Sequence, residues 1–300
     1  MEFSFVNDIR ADMLVKRVLK HFGVSKNLLA RVKFDGGEIF VAGIPALATT
    51  PVALGEKLTI FVPDEKASET LVAENAALDV IYEDADYLIV NKPAGSPSIT
   101  GREKPTGSMS NFVAGYIRAK NYPNQTVHIV TRLDKDTSGL MLFAKHRYAH
   151  ALLSAGRGRE SLQKRYFALI KANENFVSAD RINLPIGRAE NSIIKRQVRF
   201  DGFGGLYETK NASTSYTTVL EKNDLRLLDL TLHTGRTHQI RVHMSHIGFP
   251  LIGDTLYGGN HDLLARQALH CHHLEFKNLI RNQKIVLECP LPDDLQKLLK

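Results

Sequence analysis

The chain is 300 residues long, 43% hydrophobic and 24% charged, with 21 glycines and 11 prolines. That is the balance of an ordinary globular protein of about two domains, and it excludes disorder, collagen and coiled coil as the main state. No apolar run approaches the ~20 residues of a bilayer-spanning helix, and residues 1–8 lack the basic and apolar segments of a signal peptide. Cys271 and Cys289 are the only cysteines, so no disulfide framework is expected and a reducing cytoplasm is the setting. The formal charge of +7, from 39 Lys and Arg against 32 Asp and Glu, suits a polyanionic partner.

In chain order, residues 12–21 place Leu14, Val15, Val18, Leu19 and the following Phe22 at helical spacing, with Gly23 as the stop signal. Ser25 is placed to cap a second short helix through Leu28, Leu29 and Val32. Gly36 and Gly37 turn the chain into a strand over 38–43, and 57–62 reads as another. Residues 10–33 hold seven basic side chains and one acid, Asp12. Such a concentration attracts phosphate, although solvated helix faces would account for it too. Residues 64–77 are polar, alanine-rich and aperiodic and read as a linker. The domain reading is a small module over 1–66, a linker over 67–77 and a second domain over 78–300.

That second domain opens with Ile81-Tyr82-Glu83-Asp84 and a strand over 87–91, broken by Pro93 and Gly95. Residues 96–110, rich in Gly, Pro, Ser and Thr, read as a loop. Residues 111–120 read as a helix with Phe112, Val113, Tyr116 and Ile117 on one face. The runs 127–133 and 140–144 are strand-like and joined by a turn. Helical and strand-like pieces then alternate irregularly, joined by short loops. The expected fold class is therefore α+β, a mixed, mostly antiparallel sheet behind a small α/β module. A second basic block, 131–171, sets nine Lys and Arg against Asp134, Asp136 and Glu160.

The most informative segment is Val130-Thr131-Arg132-Leu133-Asp134-Lys135-Asp136-Thr137-Ser138-Gly139-Leu140. Apolar runs flank a polar turn ending in Gly139, which sets its carboxylates at a loop tip. Asp134, Asp136, Ser138 and Gly139 match the first ligand positions of a calcium loop, but Lys145 stands where that loop needs a bidentate Glu. Calcium is rejected. Capping of backbone amides is the expected role of Asp136 and Thr137. Asp134 lies beside Arg132 and Lys135, which favours its ionised form, and an ionised, positioned carboxylate is a nucleophile or a general base. A plain turn-capping role is the alternative.

The turn is accompanied by Ile89-Val90-Asn91-Lys92-Pro93-Ala94-Gly95, Lys164-Arg165-Tyr166-Phe167-Ala168-Leu169, Thr234-Gly235-Arg236-Thr237-His238-Gln239-Ile240-Arg241-Val242-His243, Gly253-Asp254-Thr255-Leu256-Tyr257-Gly258 and Leu269-His270. In order and spacing this set resembles the RluA/RluD-type pseudouridine synthases over residues 78–300. Residues 10–60 resemble an S4 RNA-binding domain more weakly. Thr131 departs from the family pattern, which has His before Arg-Leu-Asp, and the departure bears on packing or RNA contact rather than on Asp134.

The resemblance implies an isomerase that breaks the N1–C1′ bond of a uridine in RNA, turns the uracil and joins C5 to C1′, with no cofactor and no metal. The base must be flipped out first, at a cost of a few kcal/mol. The resemblance makes Asp134 the essential carboxylate at the ribose, as nucleophile or as base. It makes Arg241 the arginine paired with that carboxylate, Tyr166 the ring that stacks on the flipped base, and Arg132 the side chain that fills the gap. Read locally, Thr237 can cap a helix whose Ile240, Met244 and Ile247 face the core and which Gly248 ends, leaving Arg241 off that face. Tyr166 alternates with Ala168 and Ile170, as a strand-core aromatic also would. The implied partner is structured RNA, large-subunit ribosomal RNA ahead of transfer RNA because an S4-like module is attached. A monomer with no membrane association is expected.

Two rival readings are weaker. Eight of the twelve histidines lie in 233–273, but none of their spacings is that of a zinc hydrolase, and neighbours such as His272 and His273 on a strand point to opposite faces. A non-catalytic RNA-binding protein would keep both basic blocks, yet it has no need of Asp134, Tyr166 and Arg241 together.

Overall fold

A computed structural model of the chain describes residues 1–101, 104–154, 156–190, 192–200 and 208–300. Residues 102 and 103 of the expected 96–110 loop, and Ala155 and the Arg157 side chain of the second basic block, lie outside the described residues.

The N-terminal region begins with a strand not anticipated above, Glu2–Val6, in which Phe3 and Phe5 point inward with the two-residue period of a half-buried strand. It pairs antiparallel with Lys57–Phe61, and Glu38–Val41 and Ile44–Pro45 complete a four-stranded sheet. Helices Val15–His21 and Lys26–Phe34 cover it. The first is followed by Gly23 at φ +82°, and at the second the Ser25 hydroxyl accepts the Leu28 amide at 3.1 Å. Two residues from far along the chain, Tyr148 and Leu152, complete this core.

Tyr148 and Leu152 lie on helix Arg147–Ser154, where four-residue spacing puts them on one face and Ala149 and Leu153 on the next. The second pair belongs to the core of the larger sheet, so one short helix is buried in both cores. The Tyr148 hydroxyl donates to the Phe22 carbonyl at 2.7 Å, and Phe3 meets its ring edge-on at 4.9 Å. Residues 64–77 form no helix or strand, but they are strapped down rather than free. Glu65 is buried, taking the His128 ring at 3.0 Å and the Arg147 amide at 2.7 Å. Glu74 crosses helix Met109–Ala119 so closely that a Cβ on Gly115 would lie 2.0 Å from its carbonyl oxygen. A polar composition gives no hint of this, because a charged side chain is buried only when distant partners meet it.

The larger sheet has ten strands. Its main path runs Ala179–Asn183, Ser213–Lys222, Leu225–Leu232, Gln163–Lys171, Leu269–Asn278, Ser138–Ala144, Tyr87–Lys92, Val80–Glu83. Gln283–Glu288 pairs with Leu269–Asn278, and His128–Ile129 with Ser138–Ala144. Every pairing is antiparallel except Ser138–Ala144 with Leu269–Asn278, which is parallel, so the mixed, mostly antiparallel expectation holds. The central strands are buried on both faces, as in Ser138–Ala144, where all seven residues are buried. The Asp134 turn lies where that strand begins.

Candidate active site

Three adjacent strands come into register at one level: Tyr166 opposes Cys271, and Cys271 opposes Gly139. Gly139 is required here, since at φ +108° an added Cβ would lie 2.2 Å from the Cys271 carbonyl oxygen. The strand entering Gly139 therefore brings the Asp134 turn beside Tyr166. The expected hairpin is present but shorter, with His128–Ile129 opposing Phe143 and Ala144. Beyond it Thr131 turns inward, its hydroxyl accepting the Leu142 amide at 2.9 Å. The residue that departs from the family pattern thus fastens backbone beneath Arg132.

The turn itself is held from several sides. The Ser98 hydroxyl donates to the Leu133 carbonyl at 2.6 Å and accepts the Leu133 amide at 3.0 Å. Lys92, fully buried, donates to the Lys135 carbonyl at 2.8 Å; burial lowers its pKa to about 7, against the opposing pull of Asp136 and Asp134. Arg266, fixed by Asp294, donates to the Asp136 carbonyl at 3.1 Å, and Gln267 to the Thr137 hydroxyl at 3.2 Å. The expectation for Asp136 and Thr137 is corrected: the Thr137 amide donates to the Asp134 carbonyl at 3.1 Å, and no capping bond from the Asp136 carboxylate occurs among the described residues. Lys92 was visible in its motif; Ser98 and Arg266 carried no signal, because their value lies in where the loops deliver them.

The opposite wall is helix Gln239–His246, with Ile240 and Met244 in the core and Gly248 beyond its end at φ +89°. Thr237 is not the cap. His238 occupies that position in a left-handed conformation, φ +57°, with no side-chain cap, and the Gln239 side-chain oxygen reaches back to accept the Arg236 amide at 2.9 Å. Arg241 is off the core face, as expected, but buried. Its guanidinium grips Asp254 through two bonds of 2.7 and 2.8 Å and donates to Asp134 Oδ2 at 3.3 Å. Asp254 stood in a motif without an assigned role.

Asp134 keeps a quarter of its side chain open, at 27% exposure. The reading that Arg132 and Lys135 hold its charge is corrected. Both are exposed and, among the described residues, neither pairs with it; Arg241 does. Sequence neighbours on a turn point outward, while the true partner comes from the facing helix. Tyr166 is buried, and burial raises its hydroxyl pKa well above the ordinary value, with Cys271 and Asp134 adding to the effect. It remains protonated. The Lys164 ammonium stands 6.0 Å from the Tyr166 ring centroid, its pKa lowered by burial.

These residues line a cleft of about 960 Å³. Its described lining residues include six Lys and Arg, namely Arg132, Lys135, Arg159, Lys164, Arg236 and Arg241, and a single carboxylate, Asp134. A partly open carboxylate in a cleft lined by cations is suited to act on one unit of a polyanion. The histidines of 233–273 are dispersed: His270 bonds Ser138, His272 bonds Asp229, and His243 bonds Thr214.

Comparison with known proteins identifies the family. Residues 86–246 match the family described as RNA pseudouridylate synthase. The chain is 41% identical over 288 residues to the uncharacterized RNA pseudouridine synthase YjbO of Bacillus subtilis (strain 168), covering 96% of this chain and 99% of that one. It is 35% identical over 305 residues to ribosomal large subunit pseudouridine synthase D of Buchnera aphidicola subsp. Acyrthosiphon pisum (strain APS), covering 97% and 93%. The solved structure of human RNA Pseudouridylate Synthase Domain Containing 1 has the same fold, with a TM-score of 0.57 at 23% identity over 75% of this chain and 96% of that one. The N-terminal helices and sheet are consistent with an S4-like domain. With family match, sequence relatives and fold in agreement, the chain belongs to the RluA-type RNA pseudouridine synthases and is an RNA uridine isomerase.

Proposed function

We propose that this enzyme isomerises uridines of large-subunit ribosomal RNA, with Asp134 as the carboxylate that acts at the ribose. The observation that carries the reading is the 3.3 Å contact between Arg241 Nη1 and Asp134 Oδ2, made by a guanidinium already anchored on Asp254. It aims the carboxylate while leaving it partly open to a ligand. Attack on C1′ and removal of a ribose proton both require that state. The uracil released from C1′ turns against the Tyr166 ring before C5 bonds to C1′. The C5 proton then leaves and N1 regains one, so no outside reagent is consumed. Arg132, exposed at the mouth, is placed to enter the gap left by the flipped base. The similarity to ribosomal large subunit synthases favours ribosomal over transfer RNA. The test is to map pseudouridines in cells lacking the gene, complemented with wild type or with Asp134→Asn. A ribosomal site lost on deletion, restored by wild type and not by the variant, is the expected result. A lost site in transfer RNA alone overturns the target, and restoration by Asp134→Asn overturns the residue.

A further inference from the structure

His238 is the one residue of its motif whose backbone is strained. At φ +57° and ψ 19° it lies in the left-handed region, uncommon for a residue with a Cβ. Such conformations persist where the surroundings over-determine them. The ring is 11% exposed and stands between two groups. Its Nδ1 is 2.8 Å from the Tyr257 hydroxyl, and its Nε2 is 3.8 Å from Asp134 Oδ2.

One assignment of the ring proton satisfies both neighbours of His238. The Tyr257 oxygen already accepts the Arg196 amide at 2.9 Å, and its own proton is then directed to His238 Nδ1. In that arrangement the ring's N–H is on Nε2, facing Asp134. Burial lowers the His238 pKa, with Arg241 and Arg196 acting in the same sense against Asp134 and Asp254, which agrees with a neutral ring. Arg241 donates to the same oxygen, Oδ2. Arg241 Nη1 and His238 Nε2 thus both approach Oδ2, at 3.3 and 3.8 Å, while Oδ1 has no hydrogen-bond partner among the described residues.

We propose that His238 is a positioning residue which, with its tautomer set by Tyr257, holds Oδ2 of Asp134 together with Arg241 so that Oδ1 is the reacting oxygen. This rests on the assignment of Asp134 above. The contact closes by about 0.8 Å to become a hydrogen bond when substrate fills the cleft, as such contacts commonly tighten.

Three variants test it with a uridine-containing stem-loop RNA: His238→Asn, His238→Gln and Tyr257→Phe. Asparagine tolerates the left-handed backbone but cannot reach Asp134, whereas the glutamine amide nitrogen extends to the Nε2 position. Single-turnover rate at saturating RNA should fall roughly 10–100-fold in His238→Asn, with RNA affinity and melting temperature unchanged. His238→Gln should recover most of that loss. Tyr257→Phe should fall several-fold, since it frees Nδ1 to take the proton. A wild-type rate in His238→Asn overturns the proposal, as does a folded His238→Gln as slow as His238→Asn. Asp134→Asn is measured alongside. If it is inactive while His238→Asn is fully active, only the His238 role fails; if it is active, the Asp134 assignment fails and this proposal with it.

Discussion

The cleft around Asp134 and the basic face of the N-terminal region both concentrate positive charge, but they hold it in opposite ways. In the cleft, Arg241 is 8% exposed and tied to two carboxylates, and behind the Asp134 turn Lys92 is fully buried with its ammonium on backbone carbonyls. In the N-terminal region Arg10, Lys16, Arg17, Lys20, Lys26 and Lys33 are exposed, and none of the six forms an ion pair among the described residues. The seventh, Arg31, pairs with Asp35 at 2.9 Å. The first arrangement uses charge to fix direction, because in a low-dielectric site geometry decides the interaction. The second uses charge as a sum, since exposed cations gather phosphate without reading sequence. Single substitutions should therefore be decisive in the cleft and graded on the N-terminal face.

The sharpest break is Arg241→Lys. Lysine keeps the charge but loses the planar fork that grips Asp254 and Asp134 at once. Its single-turnover rate should fall on the order of 10²–10³-fold, nearly as far as in Arg241→Met. The Met variant should also lose about 3–5 kcal/mol of stability, because it leaves Asp254 buried without its partner. A Lys variant of near wild-type rate would make this wall, too, a matter of summed charge.

Tyr166→Phe comes next. The ring remains to stack and the protonated hydroxyl is removed, so RNA affinity should hold while turnover falls roughly 10²-fold, the scale of a lost proton-transfer group. A fully active Phe variant would restrict Tyr166 to stacking.

On the N-terminal face, substituting Lys16, Arg17 and Lys20 by Gln should weaken binding to a large structured RNA and flatten its salt dependence by about 0.7–0.9 log–log unit per lost phosphate contact. The saturated rate on a short stem-loop should stay within about twofold of wild type. Charge substitution is a cleaner probe than removing residues 1–70, which would uncover Tyr148 and Leu152 and strip Glu65 from its partners. An unchanged salt slope would place the phosphate contacts elsewhere.

The smallest effect on activity belongs to the strap between the two regions. Burial raises the Glu65 pKa, but the His128 and Arg147 contacts outweigh it and hold it at about 2, against 4.5 for the free side chain. A depressed carboxylate contributes stability that is complete above the unfolded value and is lost as pH falls through the folded one. Melting temperature should therefore drop between about pH 4.5 and 2 as about 3 kcal/mol is lost. Glu65→Gln, already uncharged, should show a flatter curve there and near wild-type turnover at neutral pH. Parallel curves for the two proteins would remove Glu65 from the coupling.

Much of this molecule was legible in the chain alone, wherever near neighbours decide the outcome. The helix over Val15–His21, its Gly23 stop, the Ser25 cap, the polar turn ending in Gly139 and the off-core position of Arg241 all follow from spacing and local hydrogen bonding. The motifs then carried the family and the reaction. Tertiary structure decided what no local pattern encodes. The partner of Asp134 is not Arg132 or Lys135 beside it but Arg241, 107 residues away, because side chains at a turn tip diverge while a facing helix converges. The helix entry has no Thr237 cap: His238 stands there in a left-handed conformation, its ring bonded to Tyr257. The polar stretch after residue 63 is buried at Glu65 because His128 and Arg147 arrive to neutralise it. Composition can show that a charge is present. Only the register of three strands and the placement of one helix determine which charges meet.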